Sequence, residues 1–461
     1  MILRDYQRRA VEDIYAAYRA GRRRVLLALP TGGGKTAIIA ALVAASARRV
    51  LVLVHRRELL DQCSRALTSC GVAHSVLAAG GRVDVAATVI VASVQTYATR
   101  TRSGWVPERI IIDEGHHAVA GTWRTVLDAH PDALTLGVTA TPVRLSGQGL
   151  GDVYDALVVG PSVADLTAAG WLSPVVAYSL PVVADLDSLR VRAGDYVGAA
   201  EAMDRPGVTG DAVTHYSRIC PGAPAIAFCA SVAHAQSVAE AFRGAGYASE
   251  CVDGTLDADT RRDRIEALGD GRISVLTSCE IISEGTDVPI VTAAILLRPT
   301  QSLGLYLQQV GRVLRPAPGK PHAVILDHVG AIYAHGLPGE ARTWTLDGVA
   351  RRTSPRDIGP PPPVLCETCY RHTPRPLPAA CGCGAPFDVE ARTMRVYEGE
   401  LVPVDVRDVV AYREARERER QRQARAEEGA AKTLEQLVAL GRARGYSPGW
   451  ARHRWQARQH R

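Results

Sequence analysis

The most constraining feature of this 461-residue chain is an apolar run, Arg24–Leu29, that passes directly into Pro30-Thr31-Gly32-Gly33-Gly34-Lys35-Thr36 and then into a helix-like stretch, Ala37–Ala47. A buried strand, a glycine turn and a helix start in that order fit an open α/β sheet and little else. Glycines let successive backbone N–H groups curl around phosphates. The helix N-terminus adds partial positive charge. Lys35 then reaches the β- and γ-phosphates, and Thr36 ligates Mg²⁺. The first glycine of the general phosphate-loop pattern is absent, because Leu29 stands there.

The rest of the first 160 residues repeats the strand–helix alternation. Candidate strands are Val50–Val54, Thr88–Ala92, Arg109–Ile112 and Leu134–Val138. They are rich in Val, Ile and Leu without polar alternation, as strands buried on both faces should be. Arg109–Ile112 ends in Asp113-Glu114. Two carboxylates at a strand's carboxyl end suit a metal site, with Asp113 holding Mg²⁺ and Glu114 orienting and polarising water. A second series follows: Ala225–Phe228, Ser274–Thr277, Thr292–Leu297 and Ala323–Leu326. The expected fold is therefore two tandem parallel-sheet α/β domains, 1–160 and 205–350, joined by a connector at 161–204, where periodicity is weak.

Composition changes after about Val349. Residues 351–363 contain Pro355 and the run Pro360–Pro363, the signature of a stiff extended linker. In 364–386, Cys366-Glu367-Thr368-Cys369 is followed by Cys381-Gly382-Cys383, and four thiolates suit tetrahedral Zn²⁺. The second pair is CxC rather than CxxC, His372 is an alternative ligand, and a redox pair or unligated thiols are the competing readings. No base lies nearby, so the module reads as structural or binding. The other six cysteines are scattered and read as reduced thiols. The net charge of +6 is uneven: residues 407–461 hold 14 Lys+Arg against 7 Asp+Glu, so this tail carries +7 and the body −1. Arg413–Glu428 reads as a solvated helix. Trp450 and Trp455 among Arg452, Arg454 and Arg458 offer base stacking and phosphate contacts, docking of a protein partner, or packing back on the body. No run of 18 apolar residues and no signal peptide is apparent, so the expected place is the cytoplasm or the nucleoid, with no membrane partner.

The motifs form an ordered set. Leu3-Arg4-Asp5-Tyr6-Gln7 precedes the glycine loop. After it come Val54-His55-Arg56-Arg57-Glu58-Leu59, Ser93-Val94-Gln95-Thr96, Asp113-Glu114-Gly115-His116 and Thr139-Ala140-Thr141-Pro142. The second half holds Ser283-Glu284-Gly285-Thr286-Asp287-Val288-Pro289 and Gln308-Gln309-Val310-Gly311-Arg312-Val313-Leu314-Arg315. From Leu3 to Arg315 this set resembles superfamily 2 helicases of the DEAD/DEAH-like class, with RecA-like domains. It is nearest to the group that includes the helicase subunits of type I and type III restriction enzymes and the RadD-type repair proteins. The cysteine cluster and Leu440–Tyr446 favour the RadD side.

The resemblance implies roles. Arg4 and Gln7 contact the nucleotide base; Thr31, Gly32, Gly33, Gly34, Lys35 and Thr36 hold the phosphates of ATP; Gly285 and Asp287 approach the nucleotide from the second domain. Gln308 lies near the γ-phosphate or water. Arg312 and Arg315, three apart on an expected helix, present guanidinium groups to the γ-phosphate, a device that contributes roughly 10³–10⁵ in rate. His116, Thr139 and Thr141 couple hydrolysis to movement. Arg56, Gln95, Thr96 and Gly285 contact the nucleic-acid backbone, which positions without reading sequence. The activity implied is an ATP-driven helicase or translocase acting on nucleic acid, DNA foremost, in replication, recombination or repair. The rivals are a duplex translocase that separates no strands, an RNA helicase, and an ATP-dependent scaffold that binds DNA or a protein partner through its C-terminal module. No nuclease carboxylate set is apparent.

Overall fold

The structure is a computed structural model that describes residues 2–459 except 101–103, 145–147, 180–189, 193–194, 198–205, 280–287, 348–363, 366–371, 374–401, 432 and 444–448. Its first sheet is wholly parallel. It comprises β1 (Arg24–Ala28), β2 (Val50–Val54), β3 (Ser75–Leu77), β4 (Val89–Ser93), β5 (Arg109–Asp113), β6 (Leu134–Thr139) and β7 (Ala156–Val159), in the order β3-β4-β2-β5-β6-β1-β7. Successive residues of one strand feed opposite faces. Val25 and Leu27 enter one core with Val52 and Ile111, while Leu26 enters the other with Leu53 and Ile112. This is why the strands show no polar alternation in sequence.

The second sheet comprises β8 (Val175–Ser179), β11 (Ala225–Phe228), β12 (Ser249–Val252), β13 (Val275–Ser278), β14 (Ala293–Leu296), β15 (Ala323–Asp327) and β18 (Val402–Pro403), in the order β12-β13-β11-β14-β15-β8-β18. All its pairs are parallel except β18 with β8. Two short antiparallel pairs complete the strands: β9 (Arg190–Arg192) with β10 (Asp195–Val197), and β16 (Val364–Leu365) with β17 (His372–Thr373).

The segment read as a connector thus supplies a strand, β8, to the second sheet. Nine of the described strands escaped the sequence reading: β3, β7, β8 and β12, the two-residue β18, and the short antiparallel pairs β9–β10 and β16–β17. In the two large sheets they sit at or next to an edge; β3, β12 and β18 are short or polar, whereas β7 and β8 are apolar but only partly buried. After the second lobe the chain also returns to the first. Leu150 and Gly151 both donate their N–H to the Leu346 carbonyl, at 2.8 and 3.0 Å.

A helix spans Val406–Ala430, covering the charged stretch read as helical. Helices Leu434–Ala443 and Trp450–Gln459 form a hairpin around Leu437 and Ala451, with Trp450 and Trp455 packed against that small core. Gly441 permits the crossing: a Cβ there would lie 2.9 Å from the Trp450 ring. The two tryptophans therefore hold a hairpin together.

Candidate active site

Sheet order decides where the motifs meet. β6 lies between β1 and β5, so the loop after β1, the carboxylates ending β5 and the threonines ending β6 share one carboxyl edge. In the glycine loop, Gly32 and Gly34 both have φ of 84°, which L side chains resist. Gly34 caps the helix α2 (Lys35–Ala44).

The N-terminal element holds this loop from behind. Gln7 Nε2 donates to the Gly33 carbonyl at 3.2 Å, and Tyr6 Oη donates to the same carbonyl at 2.8 Å. Because the peptide is trans, pinning the Gly33 carbonyl toward α1 (Asp5–Arg19) turns the Gly34 N–H away from that helix. Gln7 Oε1 accepts from the Arg4 N–H at 3.0 Å. The Arg4 guanidinium lies 3.9 Å over the Trp171 ring. A Cβ on Gly34 would meet Gln7 Nε2 at 2.2 Å, so it would displace the amide that holds the Gly33 carbonyl, while the φ itself favours glycine.

Glu114 has φ of 54°, the one non-glycine residue with positive φ among the described residues. Such a backbone costs roughly 1–3 kcal/mol and persists where its surroundings fix it. Here they do. Lys35 Nζ stands 3.8 Å from Glu114 Oε1, and His116 Nδ1 stands 3.4 Å from Glu114 Oε2. His116 Nδ1 is also 2.9 Å from Thr139 Oγ1, which donates to the Thr141 carbonyl at 3.1 Å and accepts from the Thr141 N–H. That network is satisfied when His116 carries its proton on Nδ1. The carboxyl of Asp113 is raised above its ordinary range, first by burial and then by the charge of Glu114 beside it.

The third position of Asp113-Glu114-Gly115-His116 has a steric cause. A Cβ on Gly115 would lie 2.8 Å from Gly137 Cα and 2.9 Å from Tyr154 Oη. Tyr154 is fully buried and donates to the Gly115 carbonyl at 2.9 Å, filling the space that two glycines leave. Tyr154 was not a candidate from sequence, and neither were His117 and His55. The His117 ring lies 4.2 Å from that of His116 and 4.7 Å from that of His55.

The second lobe closes on this edge. Gly311 ends the helix Leu303–Gly311, and a Cβ there would meet Thr31 Cβ at 2.5 Å. A Cβ on Gly32 would lie 2.8 Å from Leu172 and 3.6 Å from Arg315 Cγ, so Arg315 borders the glycine loop. Gly304 faces Thr141 in the same way, at 3.1 Å from Thr141 Oγ1. Gln308 and Arg312 are buried. The expectation that Arg312 and Arg315 share a helix face is corrected. The helix stops at Gly311, and the Arg312 and Val313 N–H groups bond three residues back, the tight geometry of a terminating turn.

Arg56, Gln95 and Thr96 follow the carboxyl ends of β2 and β4, which are neighbours, so all three lie along one edge of the first sheet. Arg56 Nε contacts His55 Nε2 at 3.3 Å, and Gln95 is exposed. Gly285 and Asp287 lie outside the described residues, as do Cys366, Cys369, Cys381 and Cys383. β16 and β17 flank residues 366–371. Among the described residues no cluster of three or more His, Cys, Asp or Glu could hold a metal ion, and no helix is long and apolar enough to cross a membrane.

Comparisons with known proteins agree with this geometry. Residues 1–144 match the family described as type III restriction enzyme, res subunit, and residues 212–317 match the helicase conserved C-terminal domain. A "51.5 kDa protein" of a Lactococcus phage is 34% identical over 380 residues, covering 81% of this chain and 80% of its own. The "Putative ATP-dependent helicase IRC3" of Saccharomyces cerevisiae is 31% identical over 356 residues, 72% of this chain and 52% of its own, so the chain spans about half of that relative's length. Among solved structures, a fragment of "a putative HsdR subunit of a type I restriction enzyme" from Vibrio vulnificus aligns with a TM-score of 0.58 at 21% identity, covering 73% of this chain and 67% of its own. The type ISP restriction-modification enzyme LlaBIII aligns with a TM-score of 0.51 at 17% identity, covering 71% of this chain and 28% of its own.

Proposed function

The chain belongs to the superfamily 2 helicases, ATP-dependent enzymes with two RecA-like lobes, and from that premise we propose that it is a DNA translocase or helicase whose hydrolysis site is completed by its second lobe. The observation that carries this reading is the placement of Arg315 and Gly311 against Gly32 and Thr31 of the glycine loop. Phosphoryl transfer concentrates negative charge on the γ-phosphate oxygens, and a guanidinium brought in by the opposite lobe meets that charge only when the cleft is closed.

The remaining roles follow. The N–H groups of the glycine loop, whose Gly33 carbonyl is held by Gln7 and Tyr6, receive the phosphates, and Lys35 neutralises them. Thr36 and Asp113 would hold Mg²⁺, which supplies charge neutralisation of the β- and γ-phosphates. The fit lies in Asp113 itself, a carboxyl raised by burial and by a second carboxylate, which a cation would relieve. Glu114 orients the attacking water, steadied by His116 and Thr139. Gln308 and Arg312 serve the γ-phosphate side, Arg4 and Gln7 the base, and Thr141 reports to the second lobe across Gly304. Gly285 and Asp287 complete the nucleotide site.

Nucleic acid runs along the edge bearing Arg56, Gln95, Thr96 and Gly285. DNA is favoured because the family matched by residues 1–144 is a restriction-enzyme subunit; among the structural neighbours, LlaBIII is described as bound to DNA and Dbp5 of Saccharomyces cerevisiae as bound to RNA, so they do not choose between the two. The four clustered cysteines bind one structural Zn²⁺.

The test is steady-state ATP hydrolysis without nucleic acid and with single-stranded DNA, duplex DNA, forked DNA and RNA. Stimulation by DNA, abolished in Lys35→Ala while nucleic-acid binding survives, is the expected result. Hydrolysis indifferent to every nucleic acid would overturn the motor reading in favour of a scaffold. Selective stimulation by RNA would overturn the choice of DNA.

A further inference from the structure

Beyond the motif residues, one buried cation lies against the arginine-bearing segment. After Arg315 the chain makes the turn Ala317-Pro318-Gly319-Lys320. The Lys320 N–H bonds to the Ala317 carbonyl at 3.2 Å, and Gly319 has φ of 76°. Proline followed by a glycine of positive φ is the chemistry of a type II turn. It folds Lys320 back under the segment it follows. Only 9% of Lys320 is exposed. Its Nζ donates to three carbonyls: Val291 at 2.5 Å, Arg315 at 2.7 Å and Pro289 at 3.3 Å. Pro289 ends the Ser283–Pro289 motif, so one ammonium ties that motif's exit to the Arg315 peptide. A second side chain grips the same peptide: Ser173 Oγ donates to the Arg315 carbonyl at 3.3 Å, and the Ser173 N–H donates to Leu314 at 2.7 Å.

We infer that Lys320, with Ser173, is a positioning residue that fixes the Arg315 peptide so that its guanidinium meets the γ-phosphate in the closed cleft. The inference rests on the role given to Arg315 above. The chemistry suits a cation specifically. An ammonium carries three N–H donors and no acceptor, which matches three converging carbonyls. A neutral amine carries two donors and a lone pair, so one carbonyl loses its partner and faces a lone pair. Burial, with the Arg315 guanidinium as the charged group facing it, lowers the Lys320 pKa to about 8. Among the described residues no carboxylate forms an ion pair with it.

That shift separates function from stability. A lysine whose folded pKa lies below its unfolded value of about 10.4 binds its proton more tightly in the unfolded chain. Between about pH 8 and pH 10 this group therefore makes the fold more stable as pH rises. Over the same window the clamp weakens. A fall in turnover there cannot come from unfolding driven by Lys320.

The experiment measures kcat and KM for ATP at saturating DNA, with melting temperature, for the full-length wild type, Lys320→Met and Lys320→Arg from pH 7 to 10. For Lys320→Met the expected result is a kcat at least tenfold lower, a KM within about twofold and no drop in melting temperature. The wild type loses turnover above pH 8, and Lys320→Arg, which stays charged, lacks that loss whatever its absolute rate. A folded Lys320→Met with wild-type kcat overturns the clamp alone. So does a melting drop that accounts for the lost rate, or the same alkaline fall in wild type and Lys320→Arg. Absence of hydrolysis in the wild type overturns the clamp together with the role of Arg315.

Discussion

Gly311→Ala is the sharpest perturbation of the two-lobed site, because the three atoms nearest to the added one all belong to Thr31 of the opposite lobe's glycine loop. A Cβ at Gly311 would lie 2.5 Å from Thr31 Cβ, 2.9 Å from Thr31 Cγ2 and 3.0 Å from Thr31 Oγ1. Carbon atoms rest at roughly 3.5–4.0 Å, so the methyl must push the lobes apart by about 1 Å. Forcing a methyl into a packed contact costs typically 1–3 kcal/mol. Each lobe has its own core, so neither needs to unfold to escape the clash; the cleft opens instead. The cost then falls on the closed state, and at about 1.36 kcal/mol per tenfold the rate should drop roughly 5- to 160-fold. ATP affinity should change little, because Lys35 and the glycine loop belong wholly to the first lobe. The assay is single-turnover hydrolysis at saturating ATP and nucleic acid, with nucleotide binding and thermal melting measured beside it. A rate within twofold of wild type would refute the reasoning. So would a melting loss large enough to explain the lower rate, since that would place Gly311 in a core instead of a moving contact.

Two further outcomes follow from the same geometry. Gly115→Ala should destabilise the first lobe by about 1–3 kcal/mol in urea unfolding, because its Cβ would meet the Gly137 backbone, which cannot rotate away; unchanged stability would remove the steric account of that glycine. Metal analysis of the purified chain should find about one zinc per molecule, lost in Cys366→Ser with Cys369→Ser; metal-free protein with full activity would exclude the zinc reading.

What the sequence made legible was local chemistry. Lys35 and Thr36 follow a glycine turn and Asp113-Glu114 end a buried strand, the short fixed spacing that the proposed phosphate and metal contacts would require. Those elements appear within a residue or two of where the apolar runs place them. The contacts that hold them were not legible. Nothing in Asp113-Glu114-Gly115-His116 announces that Tyr154 fills the space beside Gly115. Nothing near Pro318-Gly319 announces that the turn returns Lys320 to the Arg315 carbonyl. The error about Arg312 and Arg315 has the same source. Spacing of three suggests one helix face, but spacing carries no information about where the helix stops.

The illegible contacts are also those that can transmit force. Thr139 Oγ1 steadies His116, which steadies Glu114, and two residues later Thr141 meets Gly304 of the second lobe. On the other flank, Leu172 touches the glycine loop while its neighbours Trp171 and Ser173 hold Arg4 and the Arg315 peptide. A shift of the second lobe would therefore reach Glu114 along one path and the glycine loop along the other. Each path runs through packed or hydrogen-bonded groups that have little room to yield. A packed contact of this kind is either made or broken, so under the proposed function hydrolysis and lobe movement would be coupled in steps. The proposed motor would need that property, and the contacts that would supply it are pairs of residues that only the fold brings together.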